Sequence, residues 1–415
     1  MLNSEIINND NLQSRIIYSG ESLPIQDYVL EQRQRAMKGV HRVVVKVGSA
    51  VLTTGDGIDL DVIDRLGEEI AWLKKRGYEF IVISSGAISS GARKIGLKRK
   101  PASIPEKQAA AAAGQSGLMR AYEIAFGRHQ EMVAQVLLTR DDLSHRRRFL
   151  NARNTLTTLL RWRLTPIINE NDTVMVEEIK FGDNDNLSAM ISSLVQADLL
   201  INLTNIEGLY DRDPRKDSSA RLISMAPAID RAVERMADKV PGTEGRGGMY
   251  SKIQAAKKVS MAGVPTVIGN GRRENIIRQV LSGAEVGTFF PPQRCSLASR
   301  KYWLAFTTKP AGTIVVDEGA REALVHRGKS LLSKGVKEVR GQFGLGAPVA
   351  CVSPEGRDIA VGLVNYSSTD LKKIVGLKSS EIEGVLGYKF YDEVIHRDNM
   401  VIVDGMASDG EGGSR

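Results

Sequence analysis

Up to Phe290, short apolar, β-branched runs alternate with stretches whose apolar residues recur every three or four positions. The runs Arg42–Val47, Glu79–Ser84, Met132–Leu138, Leu164–Asn169, Leu199–Leu203 and Val264–Ile268 each read as a buried strand. Between the first and second runs of this series the spacing turns helical: Val62, Leu66, Ile70 and Leu73 share one helix face, closed by Gly77. Further helices are expected at Lys107–Phe126, Asn151–Arg161, Asn186–Gln196, Met249–Ala262 and Glu274–Leu281. Strands that are apolar on both faces and alternate with helices imply an α/β fold: an open, mainly parallel sheet sandwiched by helices. Such sheets bind ligands beyond the carboxyl ends of their strands, so the loops that follow the strands carry the functional information.

The pattern changes at Pro291-Pro292. Beyond it, β runs at Thr313–Val316, Val336–Arg340, Val349–Val352 and Ile359–Val364 are broken by Gly-rich turns, as in a small, mainly-β barrel. The expected organisation is an extension over 1–38, an α/β domain over 39–290, a linker over 291–306, a β domain over 307–403 and a flexible tail over 404–415. Asn3, Asn8, Asn9, Asp10 and Asn11 crowd the start of the extension, where a stable core is not expected.

Composition narrows the classes. The chain has 415 residues, 42% apolar and 26% charged, enough for full cores without covalent staples. No run approaches the ~18–20 apolar residues of a membrane span. Cys295 and Cys351 cannot build a disulfide framework, and no CxxC is present. Together with the absence of a targeting pattern at the start, this leads to the expectation of a cytoplasmic protein with no membrane partner. The net charge of +8 suits anionic ligands. The basic runs Lys98–Lys100 and Arg146–Arg148 are short enough to be solvated surface, and no nucleic-acid partner is expected.

Several familiar chemistries are missing. Gly328-Lys329-Ser330 mimics the end of a phosphate-binding P-loop, but Ala323 stands where that motif needs glycine. No GxGxxG follows a strand, and neither GxSxG nor HExxH occurs. The five histidines lie outside metal-ligand spacing of one another.

Four loops remain. Lys46-Val47-Gly48-Ser49-Ala50 brings a lysine out of an apolar strand, where it would be buried unless paired with an anion. Ser84-Ser85-Gly86-Ala87-Ile88 offers hydroxyls and backbone N–H groups at a helix start. Asn169–Asp172 and Gly182–Ser188 gather amides and carboxylates around a single segment. Gly242–Lys252 exposes backbone N–H groups and sets Lys252 in a first helical turn, against the helix dipole unless an anion is bound. Taken singly, each has a plain alternative: an edge lysine, an N-cap, a polar turn, a surface loop. Jointly, two lysines, three small-residue loops and an acidic cluster at one sheet edge are the parts phosphoryl transfer needs.

In this order the four loops resemble the amino acid kinase family. Ile168–Asp172, Lys180–Ala189, Gly245–Lys252, Leu137–Asp142 and Arg148–Leu156 look like its glutamate 5-kinase group. Val316–Leu324 and Glu355–Gly362 are similar to a PUA domain. The resemblance implies an ATP-dependent kinase acting on the side-chain carboxylate of L-glutamate, inhibited by proline. It also implies Mg²⁺ carried mainly by the nucleotide phosphates, a homo-oligomer (dimer or tetramer), and functional coupling to glutamyl phosphate reductase. Alternatives are another carboxylate kinase of the same fold, or RNA binding through the PUA-like region.

The roles implied by the resemblance are specific. Lys46 and Lys252 flank the transferring phosphoryl group, and Asp185 orients both. Ser85, Asp172 and Asn184 bind glutamate. Gly48 and Gly86 offer N–H groups to phosphate. Thr204, Asn205 and the loop Arg246, Gly247, Gly248, Met249, Tyr250, Ser251 and Lys252 contact ATP, and no residue ligates metal directly. Asn205 stands where the family usually has Asp, and Tyr250 where Ser or Thr is common.

Overall fold

The computed structural model describes residues 16–54, 57–144, 146–174, 183–238, 248–292, 310–389 and 391–402. The start of the extension, Arg246, Gly247, most of the linker and the tail lie outside the described residues. The chain divides into two compact units, with the break after Arg294.

The first unit is built on β1 (Ile17–Tyr18), β2 (Arg42–Val47), the hairpin β3 (Thr53–Thr54) and β4 (Gly57–Ile58), then β5 (Glu79–Ser84), β6 (Val133–Leu138), β7 (Thr165–Glu170), β8 (Leu199–Thr204), β9 (Ile223–Met225), β10 (Thr266–Asn270) and β11 (Thr288–Phe290). All but the hairpin form one nine-stranded sheet in the order β1-β9-β11-β10-β8-β2-β5-β7-β6. The run from β10 to β6 is parallel, while β10–β11 and β1–β9 are antiparallel.

Strand alternation divides the core. Val43, Val45, Val47, Val82, Ile167, Ile201 and Leu203 pack on one face with the helices Leu60–Lys74 and Ile104–Arg128. Val44, Ile81, Ile83, Ile168 and Leu200 pack on the other with the helices Arg146–Arg161, Asp183–Leu194 and Met249–Met261. Each such fully buried side chain contributes roughly 1.5–3 kcal/mol of transfer free energy.

The observed elements agree with the pattern to within a few residues, with three physical differences. The helix expected from Lys107 starts at Ile104, because Ser103 and Glu106 form a reciprocal cap and Pro105 suits the first turn. The strand ending at Leu138 is only partly buried, because β6 lies at the sheet edge. Residues 16–37, read as part of an extension, add strand β1 and the helix Leu23–Met37 to this unit. The guanidinium of Arg33 on that helix is buried and donates to four carbonyls, those of Ser224, Ala284, Val286 and Gly287.

One close approach fixes the loop after β5. A Cβ on Gly91 would lie 1.6 Å from the Ala110 carbonyl oxygen, and one on Gly114 would lie 2.0 Å from that of Ala87. The helices Ala87–Lys94 and Ile104–Arg128 therefore touch backbone to backbone. Gly86 enters the first of them at φ 103°, a conformation that favours glycine.

The second unit has its own core around Ile314, Val316, Val349, Cys351, Ile359, Leu371 and Val394. Strands β12 (Gly312–Val316), β14 (Val336–Gly341), β15 (Pro348–Val352), β16 (Asp358–Leu363) and β18 (Met400–Ile402) form a sheet in the order β14-β12-β15-β16-β18. A short ladder joins β13 (Leu331–Leu332) to β17 (Glu393–Ile395). Among the described residues no helix is long and apolar enough to cross a membrane.

Candidate functional site

The carboxyl ends of β2, β5, β7 and β8 bring most of the expected site residues together. Lys46 is the fifth residue of β2 and points to the face packed by Val44. It is 4% exposed, so its charge needs a partner. That partner is Asp185, in the first turn of the helix Asp183–Leu194: Lys46 Nζ lies 2.7 Å from Asp185 Oδ1. Lys252, in the first turn of the helix Met249–Met261, lies 3.2 Å from Asp185 Oδ2. The Asp185 carboxylate thus supplies the anion that a lysine at a helix N-terminus lacks.

Two neutral donors complete the arrangement. The Asn202 amide donates to Asp185 Oδ1 at 3.1 Å, and the Ser251 hydroxyl donates to Oδ2. Each carboxylate oxygen therefore receives one ammonium and one uncharged donor. Burial alone would raise the Asp185 carboxyl, but Lys252 and Lys46, with hydrogen bonds from Lys46 and Ser251, hold it well below the usual carboxylate range. Burial pushes the Lys46 ammonium down to about 8; Asp185 opposes this shift and Lys252 adds to it. With both lysines protonated, two cations share one anion in a place nearly closed to water. One positive charge is left over, which suits an anionic ligand.

Beside it lies an amide network. Asn184 donates from Nδ2 to the Ser84 carbonyl, the Ser85 hydroxyl and Asn169 Oδ1, at 3.1, 3.0 and 3.1 Å. Asn169 in turn donates to Gln115 Oε1 at 2.9 Å. With its Nδ2 so engaged, Asn184 is left with a buried Oδ1 that finds no donor among the described residues. A bare acceptor beside a serine hydroxyl suits an ammonium or hydroxyl group on a ligand. Asp172 opens the short turn after β7.

The remaining expected residues divide. Thr204 ends β8, and Asn205 follows it, exposed. Tyr250 is exposed on the first turn of its helix. Gly86 keeps a backbone N–H with no acceptor among the described residues. One role needs correction. The Gly48 N–H does not face outward; it donates to the Leu203 carbonyl at 3.0 Å, tying the end of β2 to β8. The Met249 side chain is 4% exposed in a core cluster with Leu209, Ile223 and Ile253, so only its backbone remains for a ligand. Arg246 and Gly247 fall outside the described residues.

Asn202 and Gln115 were missed. Asn202 hides in the apolar run Leu199–Leu203, where an isolated amide is the one available clue. Gln115 sits on an Ala-rich helix, with nothing nearby in sequence to mark it.

The donor set also speaks to metal. All four acceptor positions of Asp185 are taken, and among the described residues no group of three or more His, Cys, Asp or Glu could hold an ion. These side chains do not fit a protein-built Mg²⁺ cage.

Comparison with known proteins agrees with this geometry. The amino acid kinase family profile matches residues 41–270, and the PUA domain profile matches residues 312–386. The glutamate 5-kinase of Syntrophus aciditrophicus is 50% identical over 373 residues, which cover 90% of this chain and 97% of that protein. Those of Geobacter metallireducens and Citrifermentans bemidjiense are 52% and 51% identical over 372 residues, 89% of this chain and 100% of each of those proteins. On this similarity the chain belongs to the amino acid kinase family, within its glutamate 5-kinase group.

Proposed function

We propose that the protein transfers the γ-phosphoryl group of ATP to the side-chain carboxylate of L-glutamate, giving L-glutamyl 5-phosphate and ADP, the first step of proline synthesis. The observation that carries this reading is the buried cluster of Lys46, Asp185 and Lys252, two cations on one anion at the carboxyl edge of the sheet. A glutamate carboxylate oxygen attacks the γ-phosphorus. The bond from that phosphorus to the β,γ-bridging oxygen breaks, and its electron pair leaves with ADP. The carboxylate is already a nucleophile, so no general base is required. Catalysis then consists of alignment and charge neutralisation. Lys46 and Lys252 meet the phosphoryl oxygens from two sides, and Asp185 sets the spacing between them. Ser85, Asp172 and the bare Asn184 Oδ1 hold glutamate, while Gly86, Thr204, Asn205 and the segment from Gly248 to Lys252 approach the nucleotide. Mg²⁺ carried on the nucleotide phosphates would add charge neutralisation there.

The same reading places the enzyme in the cytoplasm as a homo-oligomer, inhibited by proline and serving a reductase that consumes the labile acyl phosphate. Hydroxylamine trapping tests the central claim, because acyl phosphates form hydroxamates. With ATP, the purified chain is expected to yield hydroxamate from glutamate and at most a trace from aspartate or N-acetylglutamate. Product from aspartate alone would overturn the substrate assignment.

A further inference from the structure

The four donors on Asp185 are not equivalent. On each oxygen one is a lysine that must also serve the phosphoryl group, and the other is uncharged. When a phosphate arrives, Lys46 must share its hydrogen bonds with the new anion. Asp185 Oδ1 would then lose part of its ammonium contact inside a low-dielectric core, where an under-paired carboxylate is costly. Asn202 is the other donor to that oxygen, at 3.1 Å, and its position is set by the sheet: Asn202 of β8 is the register partner of Lys46 of β2. On its other side it pairs with Ile268 of β10, which is fully buried. Asn202 is itself 1% exposed, and its Oδ1 has no donor among the described residues. A strand interior does not need such a residue; an aliphatic side chain would leave no orphaned acceptor.

We infer that Asn202 is a positioning residue for phosphoryl transfer: it keeps the Asp185 carboxylate in place and satisfied while Lys46 turns toward the phosphate. The inference rests on the kinase reading above. Ser251 occupies the matching place on Oδ2, beside Lys252.

The test is Asn202→Leu, with Asn202→Ala as a second variant that differs in volume but also lacks the donor. Both are expected to lower kcat about tenfold or more, the scale of one hydrogen bond to a charged group. KM for ATP and glutamate should stay within about twofold, since the ground-state contacts are intact. The alkaline limb of kcat/KM should move upward, because Lys46 no longer shares Asp185 Oδ1 with a competing donor. Asn202→Leu should stay folded and melt near the wild-type temperature, since removing an unsatisfied buried oxygen offsets the donor lost by Asp185. An unchanged kcat with an unmoved alkaline limb would overturn the inference. So would a loss seen in the Ala variant alone, or one that merely follows a falling folded fraction. A wild-type chain that forms no hydroxamate would instead sink the kinase reading on which this rests.

Discussion

The first unit buries two cationic sites in different ways. At the Lys46–Asp185–Lys252 cluster the cations outnumber the anion. At Arg33 there is no carboxylate in the hydrogen-bonded shell: four backbone carbonyls at 2.8–3.1 Å take the guanidinium, which also lies 5.4 Å from the Phe289 ring centre. Fixed dipoles occupy both terminal nitrogens of Arg33, and only its buried Nε lacks an acceptor among the described residues. Two ammonium groups around one shared carboxylate leave charge to spare. A buried cation joined to backbone acceptors acts as a fastener, while on the proposed function an excess of buried cations over anions awaits an anionic ligand.

The largest effect separates these two roles directly. Lys46→Ala or Lys252→Ala should cut turnover by about 10³-fold or more, because each acts on charge that develops in the transition state. Steady-state rates measured at saturating ATP and glutamate check this, and a loss of only a few-fold in either would break the assignment. Arg33→Met should do the reverse. It strands four carbonyl oxygens and should destabilise the fold by about 3 kcal/mol or more, with activity per folded molecule within about twofold of wild type. Denaturant melts paired with active-site titration would show it. A selective loss of turnover at full stability would erase the distinction drawn here. A smaller change falls on glutamate recognition: Asp172→Ala should raise the glutamate KM by roughly tenfold and leave the ATP KM nearly unmoved, the size of one lost charge-assisted contact. A rise confined to ATP would reassign that turn.

The mildest test uses pH. In the proposed role Lys46 acts as an ammonium, and burial pushes that ammonium down to about 8. Activity as kcat/KM should therefore fall as pH rises through about 8, while kcat holds to higher pH because bound phosphates favour the ammonium. Stability moves the other way. In the window from about 8 to the ordinary lysine value of 10.5 the unfolded chain binds the extra proton, so the cost of burying charged Lys46, fully present below about 8, is relieved as pH rises through that window. Arg33, lowered to about 10 by burial, stays charged across the neutral range and adds no titration there. An activity profile flat to pH 10 would contradict the burial of Lys46.

Much of this was legible in the chain. Lys46 in an apolar strand demanded an anion, Lys252 at a helix start demanded another, and Asp185 answers both. Strand limits followed from β-branched runs because burial on both faces leaves little freedom of register. The parts that could not be read depend on pairing across long stretches. The Gly48 N–H looked available because nothing local shows that Leu203 will lie beside it. The burial of the Met249 side chain at its helix start was not legible, because its core partners, Leu209 and Ile223, are remote in sequence. The segment from Ile17 to Met37 was set aside because its partners lie about two hundred residues on, in β9 and around β11.

That last attachment orders events during synthesis. Arg33 reaches Gly287, 254 positions later. At ~5–20 residues per second, about 13 to 50 s separate the synthesis of Arg33 from that of its last acceptor. Through that interval the Arg33 guanidinium on this helix still lacks part of its carbonyl cradle. The nascent chain thus completes its catalytic half before it can fasten its own beginning.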